Sequence, residues 1–368
     1  MSVPRPPARR AIRYAVVGAG WISQEAFIPG VARSGNSTIA AIVTGDIGKG
    51  AKLAAFHKVP QVVDYAGYDA LLASDAVDAV YIALPNSMHA DHAIRAARAG
   101  KHVMVEKPLA TTIAEAEAMI AAAEAAGVYL MTAYRLHNEP GTVALLDRVR
   151  NGDIGSPLLF QSVFSFQMAP GNHRLHAAHW GGPLQDVGVY CVNAARHVFA
   201  EEPVEAIAMV NRPRDDARFA EVEATIAATL RFPSGGLAQF IASFGAAEAD
   251  GYRVIGSAGE IALDPGFKFD VATTMRTRIA GVTEERTFPQ IDHFGAQVAY
   301  FSDCIRDGTP PEADGAEGLA DMRALLAIEA AARTGRPQPI ASPPRPRHPG
   351  ADTVRLVPVP VTRHRLLL

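Results

Sequence analysis

Two side chains able to exchange a proton stand four residues apart in Gly181-Gly182-Pro183-Leu184-Gln185-Asp186-Val187-Gly188-Val189-Tyr190-Cys191-Val192-Asn193. On a helix this spacing puts Asp186 and Tyr190 on one stripe, with Asn193 close to it. Val187, Val189, Val192 and Ala195 surround that stripe, so the helix is expected to be largely buried. A buried carboxylate and phenol need polar partners, which either a substrate cleft or an internal hydrogen-bond pair supplies. A third candidate is Lys107, in Gly100-Lys101-His102-Val103-Met104-Val105-Glu106-Lys107-Pro108. This reads as a strand delivering a lysine at its carboxyl end, where doubly wound folds keep their ligands. A lysine held there can orient a substrate hydroxyl and ease its deprotonation; a solvated strand-end lysine is the plainer alternative.

Gly18-Ala19-Gly20-Trp21-Ile22-Ser23 follows an apolar run and opens a helix. The first glycine allows a tight turn, and the second lets the backbone approach a pyrophosphate at the helix N-terminus. Ser23 stands where a third glycine is usual. After the second strand, an NAD enzyme presents an acid to the ribose 2′-hydroxyl. Here the order is Ile42-Val43-Thr44-Gly45-Asp46-Ile47-Gly48-Lys49. Thr44 replaces the acid and Lys49 is placed to neutralise a 2′-phosphate, so NADP is expected over NAD. Asp46, two residues late, is the competing signal.

These residues need a frame. Apolar runs at 13–18, 39–44, 77–83, 102–106 and 128–133 suit strands covered on both faces. Between them lie helices, one over 89–99 ending at Gly100, another running from a Thr112/Glu115 capping box to Gly127. The βαβα order predicts a doubly wound parallel sheet, a Rossmann domain over 13–136. Beyond 155 the period changes to two, clearest over 221–232, with further strands expected at 157–168, 204–212, 236–244, 251–256, 259–264 and 275–281. Helical patterns cover 183–199, 292–307 and 314–334. The second domain, 137–341, is therefore expected to be a large, mostly antiparallel sheet covered by helices on one face.

The 368 residues carry 35 basic and 38 acidic side chains, and 49% are hydrophobic. That balance excludes a disordered chain and a dedicated nucleic-acid binder, and no apolar stretch is long enough to span a membrane. Cys191 and Cys304 read as packed thiols in a reducing, cytoplasmic setting. Formal charge is −3 overall and +4 in each of 1–13 and 342–368, leaving −11 for the body. Residues 1–12 and 342–368 are rich in proline and arginine and read as extended arms rather than packed elements. Arg9-Arg10 could open a twin-arginine export signal, but Arg13-Tyr14-Ala15-Val16-Val17-Gly18 reads better as the first core strand. His173, His176 and His179 recur every three residues without a cysteine or carboxylate among them, so they read as pocket or loop histidines, with no metal expected.

The Gly-x-Gly turn, Ala83-Leu84-Pro85-Asn86-Ser87-Met88-His89, Glu106-Lys107-Pro108 and Asp186-x-x-x-Tyr190 together resemble the Gfo/Idh/MocA oxidoreductase family, in particular its glucose-fructose oxidoreductase type and related NADP-dependent aldose oxidoreductases. The similarity runs from about 12 to 337 and includes Tyr134-Arg135, Arg218-Phe219-Ala220-Glu221-Val222-Glu223 and Ala331-Ala332-Arg333-Thr334-Gly335-Arg336-Pro337. The resemblance implies hydride transfer between an aldose C1, oxidised to the lactone, and NADP, and allows a tightly held cofactor that a second sugar reoxidises. Lys107, before a cis proline, would be the active-site lysine, Asp186 would bind substrate hydroxyls and Tyr190 would accept the proton. Gly18, Gly20, Trp21 and Ile22 would hold the cofactor, Thr44, Gly45 and Lys49 its 2′-phosphate, and Tyr65 its adenine. Leu84, Pro85, Asn86, His89 and Glu106 would line it, with Arg135 at the nicotinamide end. Tyr134, Arg174 and His179 would join the sugar site. The family pattern is broken at Gly181-Gly182-Pro183 and across 167–180, which leaves the sugar open. The resemblance also implies a homodimer or homotetramer built on the second domain's sheet, and an N-terminal arm, 2–10, that docks near the adenine and helps retain NADP. A dihydrodiol or cyclitol dehydrogenase, and a dinucleotide sensor without catalysis, are the alternatives.

Overall fold

The apolar runs of the first third of the chain become a parallel sheet in the computed structural model, which describes residues 10–360. Its strands are β1 (Ile12–Val17), β2 (Ser37–Val43), β3 (Gln61–Val63), β4 (Ala79–Ile82), β5 (His102–Val105) and β6 (Leu130–Thr132). They lie in the order β3-β2-β1-β4-β5-β6, every neighbouring pair parallel. The direction of winding reverses between β1 and β4, which opens a ligand crevice at their carboxyl ends. Five helices connect the strands: α1 (Ile28–Val31), α2 (Ile47–His57), α3 (Tyr68–Leu72), α4 (His89–Arg98) and α5 (Ile113–Ala126). The Thr112/Glu115 capping box forms as expected, and Gly127 ends α5 in the left-handed region.

A short turn, 135–138, leads to α6 (Pro140–Arg150) and the second domain. Its strands are β7 (Pro157–Ser165), β8 (Glu205–Asn211), β9 (Thr225–Arg231), β10 (Leu237–Ser243), β11 (Ala249–Gly256), β12 (Gly259–Asp264), β13 (Thr273–Ile279), β14 (Val282–Phe288) and β15 (Gln338–Pro339). The order is β14-β13-β12-β11-β7-β10-β9-β8-β15, with only the β7–β10 pair parallel. α6, α7 (Val189–Phe199) and α9 (Gly315–Thr334) pack on one face, as the alternating burial of β9 requires. α8 (His293–Asp307) packs against α1 and the 135–138 turn, joining the two halves.

Two expectations change, and one strand was not expected. β9 begins at Thr225 rather than 221, because the Glu221 carboxylate leaves the ladder to accept the Ala177 N–H (3.0 Å) and to meet His176 (3.1 Å). β14 had no readable period, since six of its seven residues are exposed on both faces. The 342–360 segment is extended but packed. Arg345 pairs with Asp314 (2.9 Å), Asn138 Nδ2 donates to the Thr353 carbonyl (2.7 Å), and Asp292 N–H donates to that of Val357 (2.8 Å). Among the described residues no helix is long and apolar enough to cross a membrane.

Candidate active site

A cleft of 1310 Å³ runs along the carboxyl ends of β1, β2, β4 and β5 to the second sheet. At its nucleotide end, Gly18 has φ +100°, and a Cβ there would collide with the Ala83 carbonyl. Only glycine lets the turn lie this close to the neighbouring strand end. Ser23, in place of the third glycine, donates from Oγ to the Gly18 carbonyl (2.6 Å) and so braces the turn. The next residues form a wide π-helical turn, Ser23–Phe27, before α1.

At the end of β2, Thr44 is buried and its Oγ1 accepts the Asp46 N–H (3.3 Å). The Asp46 carboxylate in turn caps α2, accepting the Lys49 N–H (2.9 Å). The acid that competed with the NADP reading is thus engaged as a helix cap. Gly45 sits behind Tyr65, whose ring would be 3.1 Å from a Cβ at that position. Across the cleft, His89 is buried with its ring nitrogens 2.9 Å from the Leu84 and Pro108 carbonyls, tying the loop after β4 to the lysine's own loop. Lys107–Pro108 is cis.

The other end is ionic. Lys107 Nζ donates to Asp186 Oδ1 (3.0 Å) and to the Asp186 carbonyl (2.7 Å), and Arg174 Nε lies 3.1 Å from the same Oδ1. Burial opposes ionisation of Asp186, yet Arg174 and Lys107 hold it well below the usual carboxylate range. Burial likewise opposes charge on Lys107, but Asp186, Tyr190 and Glu106 push it above the ordinary lysine value, so it is an ammonium at neutral pH. Its Nζ is 4.8 Å from the Tyr190 ring centroid, and the Arg135 guanidinium is 4.9 Å from it. Arg135 is itself held by the Phe267 carbonyl and by His293 Nδ1 (3.1 Å). Glu106 accepts the Tyr81 hydroxyl (2.6 Å), and burial raises its pKa. Asp186 lies in a second π-helical turn, Leu184–Gly188, which feeds Tyr190 on α7 into the same corner.

Gly18, Gly20, Trp21, Ile22, Thr44, Lys49, Tyr65, Leu84, Pro85, Asn86, His89, Glu106, Lys107, Arg135, Arg174, His179, Asp186 and Tyr190 all line this cleft. Two expected residues do not. Gly45 supports Tyr65 from behind, and Tyr134 faces away. The Tyr134 ring is buried and stacked on His137 (5.2 Å), with its hydroxyl beside Asp321. The chain turns sharply here, so its neighbour Arg135 takes the cleft side. Asn193 also leaves the Asp186–Tyr190 stripe, donating to Glu317 and Asp321 (both 2.9 Å). Of the three loop histidines, His176 pairs with Glu221, His179 Nδ1 meets Ser87 Oγ (3.1 Å), and burial and Arg174 pull His173 down to about 4. His137, His197 and Glu317 lie within metal-ligand reach of one another, but Arg196 (2.7 Å) and Arg345 (2.5 Å) already meet the Glu317 carboxylate. Phe164, Phe166, Phe267, Lys268 and Phe269 also line the cleft, unannounced by any spacing in the sequence. The arm docking expected for residues 2–10 lies, apart from Arg10, outside the described residues; Arg10 pairs with Asp78 (2.6 Å).

Residues 12–134 match the oxidoreductase family with an NAD-binding Rossmann fold, and residues 142–262 match the GFO/IDH/MocA C-terminal domain. The chain belongs to the Gfo/Idh/MocA oxidoreductase family. Within it, the chain is 31% identical to D-xylose 1-dehydrogenase [NADP(+)] from Haloarcula marismortui, over 88% of this chain and 91% of that protein. Its fold matches aldose-aldose oxidoreductase from Caulobacter crescentus, solved with glycerol, at a TM-score of 0.86 and 36% identity, covering 90% of this chain and 100% of that one. A 3-ketoreductase from Actinomadura kijaniata, solved with NADP and TDP-benzene in an open conformation, matches at 0.78 and 26%, over 88% of this chain and 98% of that one.

Proposed function

We propose that this family member is an NADP-dependent sugar oxidoreductase, moving hydride between an aldose C1, oxidised to the lactone, and NADP. The observation that carries the reading is the Lys107–Asp186–Arg174 cluster with Tyr190, in one cleft with the Gly18 turn. The residues fit the cofactor: Gly18 lets the turn close against the Ala83 carbonyl, Gly20 leaves open the space a Cβ would fill, and Thr44 and Lys49 stand where a 2′-phosphate is expected. When bound, oxidised NADP supplies the hydride acceptor. Asp186, held ionised, accepts hydrogen bonds from sugar hydroxyls. The positive charges of Lys107 and Arg135 favour the phenolate form of Tyr190, which takes the C1 hydroxyl proton as hydride leaves and becomes the neutral phenol. Lys107, Arg174 and Lys268 each already face a carboxylate, which favours an uncharged sugar over a diphosphate-linked one.

A panel of aldoses, assayed by nicotinamide absorbance with and without added NADP, tests this. Turnover of at least one free aldose is expected; binding of NADP without turnover of any would leave the sensor reading instead. The same reading includes a homo-oligomer formed on the open face of the second sheet. There Met209, Ala227, Ile241 and Val163 form one row across four strands, and Leu237 pairs with Leu159 in another. Met209 is 78% exposed, and an apolar surface of this kind on a sheet favours association. A monomer by light scattering at micromolar concentration would reject it.

A further inference from the structure

Asp250, on β11, lies outside the cleft lining, yet it organises one of the cleft's walls. Its Oδ1 accepts the backbone N–H groups of Gly266 (3.2 Å) and Phe267 (2.7 Å), and its Oδ2 accepts that of Lys268 (2.7 Å). Three donors converging on one carboxylate fix a loop that has no ladder of its own. That loop carries the groups packed around Tyr190. The Phe267 ring stacks on Phe164 (5.3 Å) and Tyr252 (5.4 Å), and its centroid is 6.1 Å from that of Tyr190. The Phe267 carbonyl accepts from Arg135, and the Phe269 ring lies 5.1 Å from the same guanidinium and 6.2 Å from Trp21. Lys268 is tied to Glu248. Arg135 therefore owes part of its placement over Tyr190 to a backbone that Asp250 holds.

We infer that Asp250 is a positioning residue for hydride transfer, acting through the Gly266–Lys268 backbone to set Arg135 and Phe267 against Tyr190. The inference rests on the reading of this cleft given above, since Arg135 and Tyr190 take their roles from it. Protonation of Asp250 withdraws one acceptor from the loop. Burial raises its pKa to about 6, against the three N–H groups and the charge of Arg135. The other titratable groups facing it are the Cys191 thiol on α7, pushed up to about 12, and the Tyr252 hydroxyl on its own strand, raised well above the ordinary phenol value. Neither changes charge near pH 6; Glu106 and Asp321 are raised elsewhere in the molecule, so the Asp250→Asn variant and exchange at residues 266–268 make the assignment.

Asp250→Asn in the full chain tests this, because the amide puts an N–H donor where one oxygen accepted. With D-xylose and NADP as probes, kcat is expected to fall about tenfold or more, as for a displaced catalytic group. NADPH binding by fluorescence titration is expected to be unchanged, and the wild-type decline below about pH 6 to disappear. In parallel, protection of the amides at residues 266–268 against hydrogen exchange, taken relative to the intrinsic rate at each pH, is expected to be high in the wild type at neutral pH, lower below about pH 6, and low at both in the variant. The exchange measurement needs no turnover, so it separates failure of this inference from failure of the proposed function. The wild-type exchange profile also stands alone if the variant does not fold. Wild-type kcat, KM and acid limb in Asp250→Asn, or wild-type protection at 266–268 that does not change with pH, would overturn the role.

Discussion

Lys107→Met keeps the reach of the side chain and removes its charge, leaving Asp186 with Arg174 at 3.1 Å as its remaining cation. Since Asp186 is not stranded, folding and cofactor binding should survive. What is lost is a positive charge 4.8 Å from the Tyr190 ring centroid. At an effective dielectric constant of about 20, a unit charge at that distance is worth about 3.5 kcal/mol to the phenolate form of Tyr190 that must take the proton. Expressed in the barrier, this is a rate loss of about two to three powers of ten. The deficit should be uniform across neutral pH, because the raised pKa of Lys107 keeps the wild-type ammonium charged throughout. The assay is single-turnover reduction of NADP by a saturating aldose, with NADPH affinity titrated separately. A rate within tenfold of wild type refutes the electrostatic role. A loss of NADPH affinity that accounts for the whole effect would make Lys107 a cofactor anchor.

Tyr190→Phe should lower turnover by about a hundredfold or more, the low end for a lost acid–base group, while NADPH still binds; near-normal turnover removes Tyr190 as proton acceptor. Gly18→Ala puts a Cβ into the Ala83 carbonyl at φ +100° and should weaken NADPH binding by more than about tenfold, on the scale of 1.4 kcal/mol per tenfold, read by fluorescence titration. Arg196→Met strips a buried cation from Glu202 (2.6 Å), Glu317 (2.7 Å) and Asp321 (2.6 Å) and should cost about 3–5 kcal/mol in urea unfolding. That cost should shrink as the pH falls towards about 6 and level off below it, because without the guanidinium Asp321, whose pKa burial already raises, takes up its proton at higher pH than in the wild type.

Much of the parallel sheet was legible because fully buried strands must be continuously apolar and helix ends need caps. Thr112, Glu115 and Gly127 mark α5 without reference to anything distant. β3 and β14 were not legible, the first being three residues long and the second exposed on both faces. Within the site, Lys107, Asp186 and Tyr190 could be read because each lies in a local pattern. Asp250 could not, since its partners are backbone N–H groups about 16 residues on, which no side-chain type announces. Tyr134 and Arg135 show the limit of reading neighbours together: which one faces the cleft depends on the phase of a four-residue turn. The 342–360 segment looked loose because proline-rich composition has little core to offer. Its order comes from single anchors, Arg345, Thr353 and Val357, on surfaces the rest of the chain builds.

Those anchors put a clock on the assembly of the site. Every strand of the parallel sheet has been synthesised by residue 132, but the turn that carries Arg135 is bonded through Asn138 to Thr353, 215 residues later. At about 5–20 residues per second, the ribosome delivers that partner roughly ten to forty seconds after the turn itself. In the interval the growing chain has its parallel sheet and lacks the lock on the turn that carries Arg135. A chain stopped at residue 341 would keep every strand of both sheets and remain in that unfinished condition. Synthesis of 342–360 is thus the step that locks the turn carrying Arg135.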